Sequence, residues 1–125
     1  ERFDVPHEVH VMSAHRTPEK VAELASNARD DGYGVIICGA GMAAHLAGAV
    51  SAHTTLPVIG VPLSGGVNGG IDALLSTVQM PRGIPVATVA VDGSANAGVL
   101  AVEILSLSNP DLVEQLKIFR DEGAR

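Results

Sequence analysis

One short segment of the sequence combines the side chains that proton transfer and phosphate binding require. Ser13, His15 and Arg16 supply a hydroxyl, an imidazole and a guanidinium, and Thr17-Pro18 then provides a helix-start signal. A helix N-terminus and a guanidinium together suit a phosphate group, and histidine exchanges a proton near neutral pH. The segment therefore indicates an anion site with a general acid and base, although a capping turn with a solvated histidine and arginine fits the same local pattern.

A glycine-containing segment, Gly39-Ala40-Gly41, separates an apolar run from an apolar helix pattern. With Ala44 it matches G-x-G-x-x-A, which is typical of dinucleotide-binding loops. Such loops need an acidic residue near the end of the next strand, and here that strand ends in Val61-Pro62-Leu63. The pattern therefore predicts only that the backbone approaches a ligand closely. By local pattern alone, His45 at the start of the helix is more typical of a buried structural histidine than of a catalyst.

The remaining candidate loops and ligands are less specific. The glycine-rich residues 64–70 and the segment 79–83 fit either lids over a site or plain connections. His15, His45 and His53 have no zinc-ligand spacing and no neighbouring carboxylate, which predicts that the chain binds no metal.

The elements that must position these residues alternate between strand and helix. Apolar and β-branched runs predict strands at 9–12, 35–38, 57–61 and 86–91. Helical spacing predicts helices from Pro18 to a stop signal at 30–32, and at 42–53, 71–78, 95–107 and 111–121. This alternation predicts a three-layer α/β/α fold with a parallel, flavodoxin-like or Rossmann-like sheet. Because ligands bind at the carboxyl ends of such strands, we expect the loops beginning at Ser13, Gly39 and Ser64 to form one rim.

Length and composition limit the chain to one domain, residues 1–125, and exclude several classes of function. Hydrophobic residues make up 46% of the chain but aromatic residues only 2%, so the core must consist of Ala, Val, Leu and Ile. A core of such small side chains buries little area, which favours a homo-oligomer. A net charge of −6 without a basic stripe argues against nucleic-acid binding. No apolar run reaches the length of about 20 residues that a membrane span needs.

The single cysteine, Cys38, lies inside an apolar run and is predicted to be a small core residue. One cysteine cannot form an intrachain disulfide, so a reducing cytoplasm is the expected compartment.

Several ordered segments, covering nearly the whole chain, resemble one family. They are Ser13-Ala14-His15-Arg16-Thr17-Pro18, Gly39-Ala40-Gly41, Ala43-Ala44-His45-Leu46, residues 56–62, Gln79-Met80-Pro81, residues 85–90 and Asn96-Ala97-Gly98. In this order they are similar to the catalytic subunit of phosphoribosylaminoimidazole carboxylase, a family of purine biosynthesis. The Ala-Ala-His-Leu segment resembles the class of N5-carboxyaminoimidazole ribonucleotide mutases, whereas the sister class, which uses free CO2, has a different sequence there.

The resemblance implies a cofactor-free isomerase that converts N5-carboxyaminoimidazole ribonucleotide to 4-carboxy-5-aminoimidazole ribonucleotide by loss and recapture of CO2. It implies His15 as the proton shuttle, Ser13 and Arg16 as phosphate ligands, and Gly41 and His45 as the lining of the base and carboxylate pocket. The other implied substrate-binding residues are Ala14, Ala40, Ala44 and Leu46. Two alternatives stay open: a carboxylase that uses free CO2, and a non-catalytic nucleotide-binding module.

The resemblance also implies binding partners and a missing N-terminal segment. The implied partners are a ribonucleotide, CO2 as an enclosed intermediate, further subunits of a homo-octamer, and functional coupling to the ATP-dependent synthetase that makes the substrate. Family members begin with a strand and a Met-Gly-Ser-x-Ser-Asp loop, which this sequence lacks, and it has no initiator Met. We therefore expect a preceding strand–helix unit of about thirty residues to be missing. Met42 and Ala47 also stand where many members have Gly and Pro.

Overall fold

A computed structural model describes residues 2–125, and parallel strands form its centre. The strands lie in the order β1 (Ile36–Gly41), β2 (Val58–Leu63) and β3 (Ala87–Thr88). β1 and β2 pair along their whole length, with Gly41 opposite Leu63, so the two strands end side by side. β3 is short and pairs with β2 through Ala87 and Thr88.

Helices cover both faces of the sheet. They are α1 (Pro18–Asn27), α2 (Leu46–His53), α3 (Ile71–Val78), α4 (Ser94–Ser106) and α5 (Pro110–Asp121). α1 and α2 pack on the face that carries Cys38 and Val58, whereas α4 packs on the face that carries Ile59 and Val61. α3 contacts β2 and β3, and α5 packs on α4. The predicted three-layer α/β/α arrangement with a parallel, flavodoxin-like sheet is confirmed.

Local signals set the starts of α1, α3 and α5 closely. Pro18 occupies the first position of α1, and α3 coincides with the predicted range 71–78. Before α5, the Asn109 side chain accepts a hydrogen bond from the Asp111 N–H, as an N-cap residue does. Within the described range, no helix is both long and apolar enough to cross a bilayer.

The predicted strand at residues 9–12 is wrong. This segment has no regular secondary structure and no strand partner among residues 2–125, and the exposed fractions of Val9 and Val11 are 82% and 98%. A strand needs the backbone groups of a neighbouring strand, and an alternating sequence cannot supply them by itself. Only Met12 packs against the core from this segment.

Other boundaries also differ from the sequence-based prediction. The expected turn at 39–41 is the end of β1, because it pairs with residues 61–63, which extend β2 beyond its predicted end. The predicted helix 42–53 begins only at Leu46, since Met42 has a left-handed backbone with φ 55°. The predicted strand 86–91 is reduced to β3, because the chain turns at Asp92, where φ is 57°. Leu107, the last residue of the predicted helix 95–107, follows α4 and is exposed.

Cys38 is buried in β1 between α1 and α2, as the sequence predicts. Burial raises the pKa of its thiol to about 12, because a thiolate there would lose its hydration. The thiol is therefore a packing group and not a nucleophile at neutral pH.

Candidate active site

The residues between the N-terminal segment and α1 form a tight turn, residues 13–17, which we call the His15 turn. The backbone N–H of Thr17 donates to the Ser13 carbonyl at 2.8 Å, and the Arg16 N–H donates to the Ser13 hydroxyl at 3.2 Å. Thr17 Oγ1 accepts from the Ser13 N–H and donates to the Ser13 carbonyl, both at 3.1 Å. Ala14 and His15 thus lie in a loop whose two ends, Ser13 and Thr17, are joined by three hydrogen bonds, with a fourth from Arg16 to Ser13.

The His15 turn leaves cationic and N–H groups available to a ligand. Thr17 precedes α1 but makes no side-chain capping bond to it, so the first-turn N–H groups of α1 have no side-chain acceptor from that residue. Arg16 is exposed, and within residues 2–125 its guanidinium makes no ion pair. A helix N-terminus beside an unpaired guanidinium can bind a phosphate or carboxylate.

His15 and His45 meet although 29 residues lie between them in the chain. Their rings are stacked, with centroids 5.5 Å apart and an interplanar angle of 11°. His45 is the N-cap residue of α2, where its exposed side chain can reach the His15 turn. The local expectation that His45 is a buried structural residue is therefore wrong. The pair presents two exposed imidazoles beside Arg16, which suits proton transfer to a bound anion.

The structure places the other predicted site residues in different surroundings. Ala40 and Gly41 end β1, and a Cβ built on Gly41 would lie 3.7 Å from Leu63, so this strand end adjoins the end of β2. Leu46 is the first residue of α2 and is half-buried. Ala44 is buried, and its N–H donates to the Met42 carbonyl at 2.8 Å. The methyl group of Ala44 therefore packs in the core.

The glycine loop, residues 64–70, follows β2 on the same edge of the sheet. Gly65, Asn68, Gly69 and Gly70 have positive φ, a conformation that favours glycine and asparagine. A Cβ at Gly70 would also lie 3.0 Å from Val91 and 3.1 Å from the Leu63 carbonyl, so the loop closes tightly where α3 begins. The rim predicted from the sequence is thus formed by the ends of β1 and β2 with the His15 turn beside them.

One residue at the rim, Asp92, has no signal in the sequence that marks it as functional. The Asp92 carboxylate accepts the Ser64 N–H at 2.9 Å and so anchors the glycine loop. Hydrogen bonding from the Ser64 hydroxyl and its backbone N–H lowers the pKa of Asp92. The Asp92-Gly93 pair signals only a turn, and nothing local indicates a partner 28 residues away. Thr17 stands at the N-cap position that the sequence predicts, but its hydroxyl bonds the backbone of Ser13 and not the first turn of α1.

Another concave surface lies away from this rim. Its lining includes Glu8, His10, Lys20 and Tyr33, between the N-terminal segment and α1. Glu8 accepts hydrogen bonds from Tyr33 and His10, which lower the pKa of Glu8 and raise that of Tyr33. Throughout residues 2–125, no group of three or more His, Cys, Asp or Glu side chains is arranged to hold a metal ion.

Comparison with known proteins gives a consistent result. Residues 1–125 match the family described as AIR carboxylase. The N5-carboxyaminoimidazole ribonucleotide mutase of Pyrococcus abyssi is 54% identical over 125 residues, which are 100% of this chain and 72% of that protein. The chloroplastic phosphoribosylaminoimidazole carboxylase of Vigna aconitifolia is 53% identical over 122 residues, 98% of this chain but 22% of that enzyme.

A solved structure agrees with the sequence relatives. The crystal structure of Treponema denticola PurE superimposes with a TM-score of 0.84 at 26% identity, covering 98% of this chain and 77% of that one. A family match along the full chain, together with a relative above half identity, establishes the relationship, and the chain belongs to the AIR carboxylase family.

Proposed function

We propose that this chain is an N5-carboxyaminoimidazole ribonucleotide mutase of purine biosynthesis, the activity that the 54% identical Pyrococcus abyssi relative is named for. The observation that supports this most is the stack of His15 on His45 next to the uncapped start of α1 and Arg16. The reaction needs an anion site and one group that both gives and takes a proton, and Arg16, the start of α1 and His15 are the groups at this edge that we propose for them.

His15 is the proposed proton shuttle. Its imidazolium gives a proton to the exocyclic nitrogen as the carbamate C–N bond breaks and CO2 leaves. The released CO2 then forms a bond to ring carbon 4, and the now neutral imidazole takes the proton that carbon 4 loses. The proton and CO2 are conserved over the cycle, so the reaction needs no cofactor. His45 lies against His15 and limits the orientations that its ring can adopt.

The remaining predicted residues take binding roles in this proposal. The Arg16 guanidinium and the Ser13 turn bind the phosphate, with the first-turn N–H groups of α1 beside them. Gly41 lets the backbone approach the base because it carries no side chain. Ala14, Ala40 and Leu46 line the pocket, whereas Ala44 contributes only through its backbone because its methyl group is buried.

The proposed active form is a homo-oligomer, because the single chain alone does not enclose CO2. A site that retains CO2 must exclude water, yet His15 and His45 are exposed in the single chain. α3 carries Ile71, Leu75 and Val78 at helical spacing, and all three are 40–50% exposed. A second copy of the chain would bury such a stripe. Sedimentation at micromolar concentration should give a multiple of the 12.8 kDa chain mass, octameric by family resemblance, and a monomeric mass would contradict the proposal.

The test of the activity is a comparison of two substrates. The carbamate N5-carboxyaminoimidazole ribonucleotide, labelled with 13C in its carboxyl group, is supplied with excess unlabelled bicarbonate. We expect 4-carboxy-5-aminoimidazole ribonucleotide that retains the label, because CO2 stays enclosed. Product formed only from aminoimidazole ribonucleotide and bicarbonate would identify the carboxylase alternative. Binding of the nucleotide without turnover of either substrate would identify a non-catalytic module.

Two further parts of the proposal concern the cell. The cytoplasm is the proposed compartment, since the single thiol is a buried packing group and forms no disulfide. The proposed functional partner is the ATP-dependent synthetase that produces the carbamate substrate.

A further inference from the structure

We infer that Thr17 is a positioning residue for His15, acting through two hydrogen bonds between its hydroxyl and the backbone of Ser13. The inference rests on the proposed function, because it gives Thr17 a role in the proton transfer assigned to His15. Neither of these bonds involves the ring of His15 or of His45. It acts on the backbone of the loop that carries His15.

The direction of the Thr17 hydroxyl supports this inference. A threonine immediately before a helix usually accepts a hydrogen bond from the first turn of that helix, which stabilises the helix. Here Thr17 makes no such bond, and Oγ1 faces the opposite way, to the N–H and the carbonyl of Ser13 at 3.1 Å each. The hydroxyl therefore closes the His15 turn and leaves the start of α1 open.

The position of the bonds explains why they would matter for the chemistry. The His15 side chain is exposed, so packing against the core does not fix it. Its orientation depends on the backbone between Ser13 and Thr17 and on contact with His45. Displacing a reacting group by about 1 Å can lower a rate about a hundredfold, so a loosened turn should reduce turnover strongly.

Three substitutions separate positioning from general stability. Thr17→Val keeps the shape of the side chain but removes both hydroxyl bonds, whereas Thr17→Ser keeps the hydroxyl. Thr77→Val is the matched control, because the buried Thr77 hydroxyl also donates to a backbone carbonyl, that of Ala73, within α3. All three are made in the chain of residues 1–125 without truncation, and folding is checked by thermal unfolding.

The first measurement needs no substrate. In parallel stacked rings, each imidazole alters the NMR frequencies of the other, so His45→Asn should shift the His15 ring resonances in the wild-type chain. We expect this shift to be absent in a Thr17→Val background and present in the Thr17→Ser and Thr77→Val backgrounds. Assignment of the His15 signals uses their loss in His15→Asn.

The second measurement is mutase turnover. We expect kcat to fall about ten- to a hundredfold in Thr17→Val and to stay within about threefold of wild type in Thr17→Ser and Thr77→Val. The inference holds if Thr17→Val loses both the histidine contact and most of kcat, while Thr17→Ser keeps both. If Thr17→Val loses only one of them, or neither, the inference is overturned. If the wild-type chain has no mutase activity, the proposed function fails, and the NMR result alone decides whether Thr17 orients His15.

Discussion

Two loops on the same edge of the sheet are built in opposite ways. The His15 turn carries reactive side chains and is closed by hydroxyl groups that bond its backbone. The glycine loop carries few functional side chains, and its shape comes from left-handed backbone angles, with one anchor at Asp92. A group that transfers a proton must be held in one orientation, whereas a backbone that approaches a ligand must be free of side-chain bulk. The comparison therefore predicts chemical roles for the first loop and a binding role for the second.

The largest effect should come from the side chain at the centre of the His15 turn. We expect His15→Asn to lower kcat about 10²- to 10⁴-fold, the usual contribution of a positioned general acid or base, because an amide cannot exchange a proton at neutral pH. Steady-state kinetics and binding of a product analogue are measured together, and binding should change little.

The control for this variant is His53→Asn. His53 ends α2, at the opposite edge of the sheet from the start of that helix, and its Nδ1 contacts the Ala49 carbonyl. We expect this change to leave kcat unaltered. If His15→Asn retained more than about a tenth of wild-type activity, His15 would not be the proton shuttle.

The next effect concerns binding through the same turn. We expect Arg16→Ala to weaken ribonucleotide binding about ten- to a hundredfold, since hydrogen bonds to charged groups contribute about 1.5–3 kcal/mol and about 1.4 kcal/mol corresponds to a factor of ten. The corresponding nucleoside should lose little affinity, because it has no phosphate for the guanidinium to bind. Arg16→Lys should restore affinity only partly, since lysine lacks the two-pronged donor. Calorimetry with both ligands measures these differences.

Arg82→Ala is the matched control for Arg16. Arg82 is also exposed, but it lies shortly before β3, at the amino ends of the strands. Arg82→Ala should therefore leave the affinities for the nucleotide and the nucleoside unchanged. Equal losses for nucleotide and nucleoside in Arg16→Ala would show that Arg16 supports the turn and does not bind the phosphate.

A smaller effect is expected where the glycine loop is anchored. Asp92→Gly removes the acceptor of the Ser64 N–H, and glycine tolerates the backbone angle of 57°. We expect KM to rise about three- to tenfold, as for the loss of one hydrogen bond, with kcat nearly unchanged. Asp92→Asn should stay close to wild type because its amide oxygen still accepts. Asp4→Gly, at an exposed residue with φ 49°, controls for loss of charge. A fall in kcat without a change in KM would contradict the binding role of this loop.

The smallest effect is the pH dependence of that anchor. Hydrogen bonding from Ser64 lowers the pKa of Asp92 in the folded chain. Its contribution to stability is therefore present above the unfolded pKa of about 3.9 and is lost as the pH falls through the folded value. We expect the difference in free energy of unfolding between wild type and Asp92→Asn to shrink as the pH falls below about 4. Denaturant unfolding measures it, and a constant difference would show that the carboxylate charge does not strengthen the anchor.

Most helices and the fold class can be predicted from residues that lie close together in the sequence. The Pro18 start of α1, the apolar spacing of α3 and the Asn109-Pro110 start of α5 are local, because capping and helix propensity depend on neighbouring residues. The family resemblance likewise needed only short ordered motifs. The sequence by itself therefore determined the α/β class, the family and the segments that carry the proposed chemistry.

Tertiary structure decided which of these segments meet and how their side chains are used. The alternating residues 9–12 form no strand because strand pairing requires partners elsewhere in the chain, and β1 continues to Gly41 because β2 pairs with it. The contact of His15 with His45 and the bond of Asp92 to Ser64 join residues 30 and 28 positions apart. No local pattern encodes these contacts, because they depend on the packing of helices against the sheet.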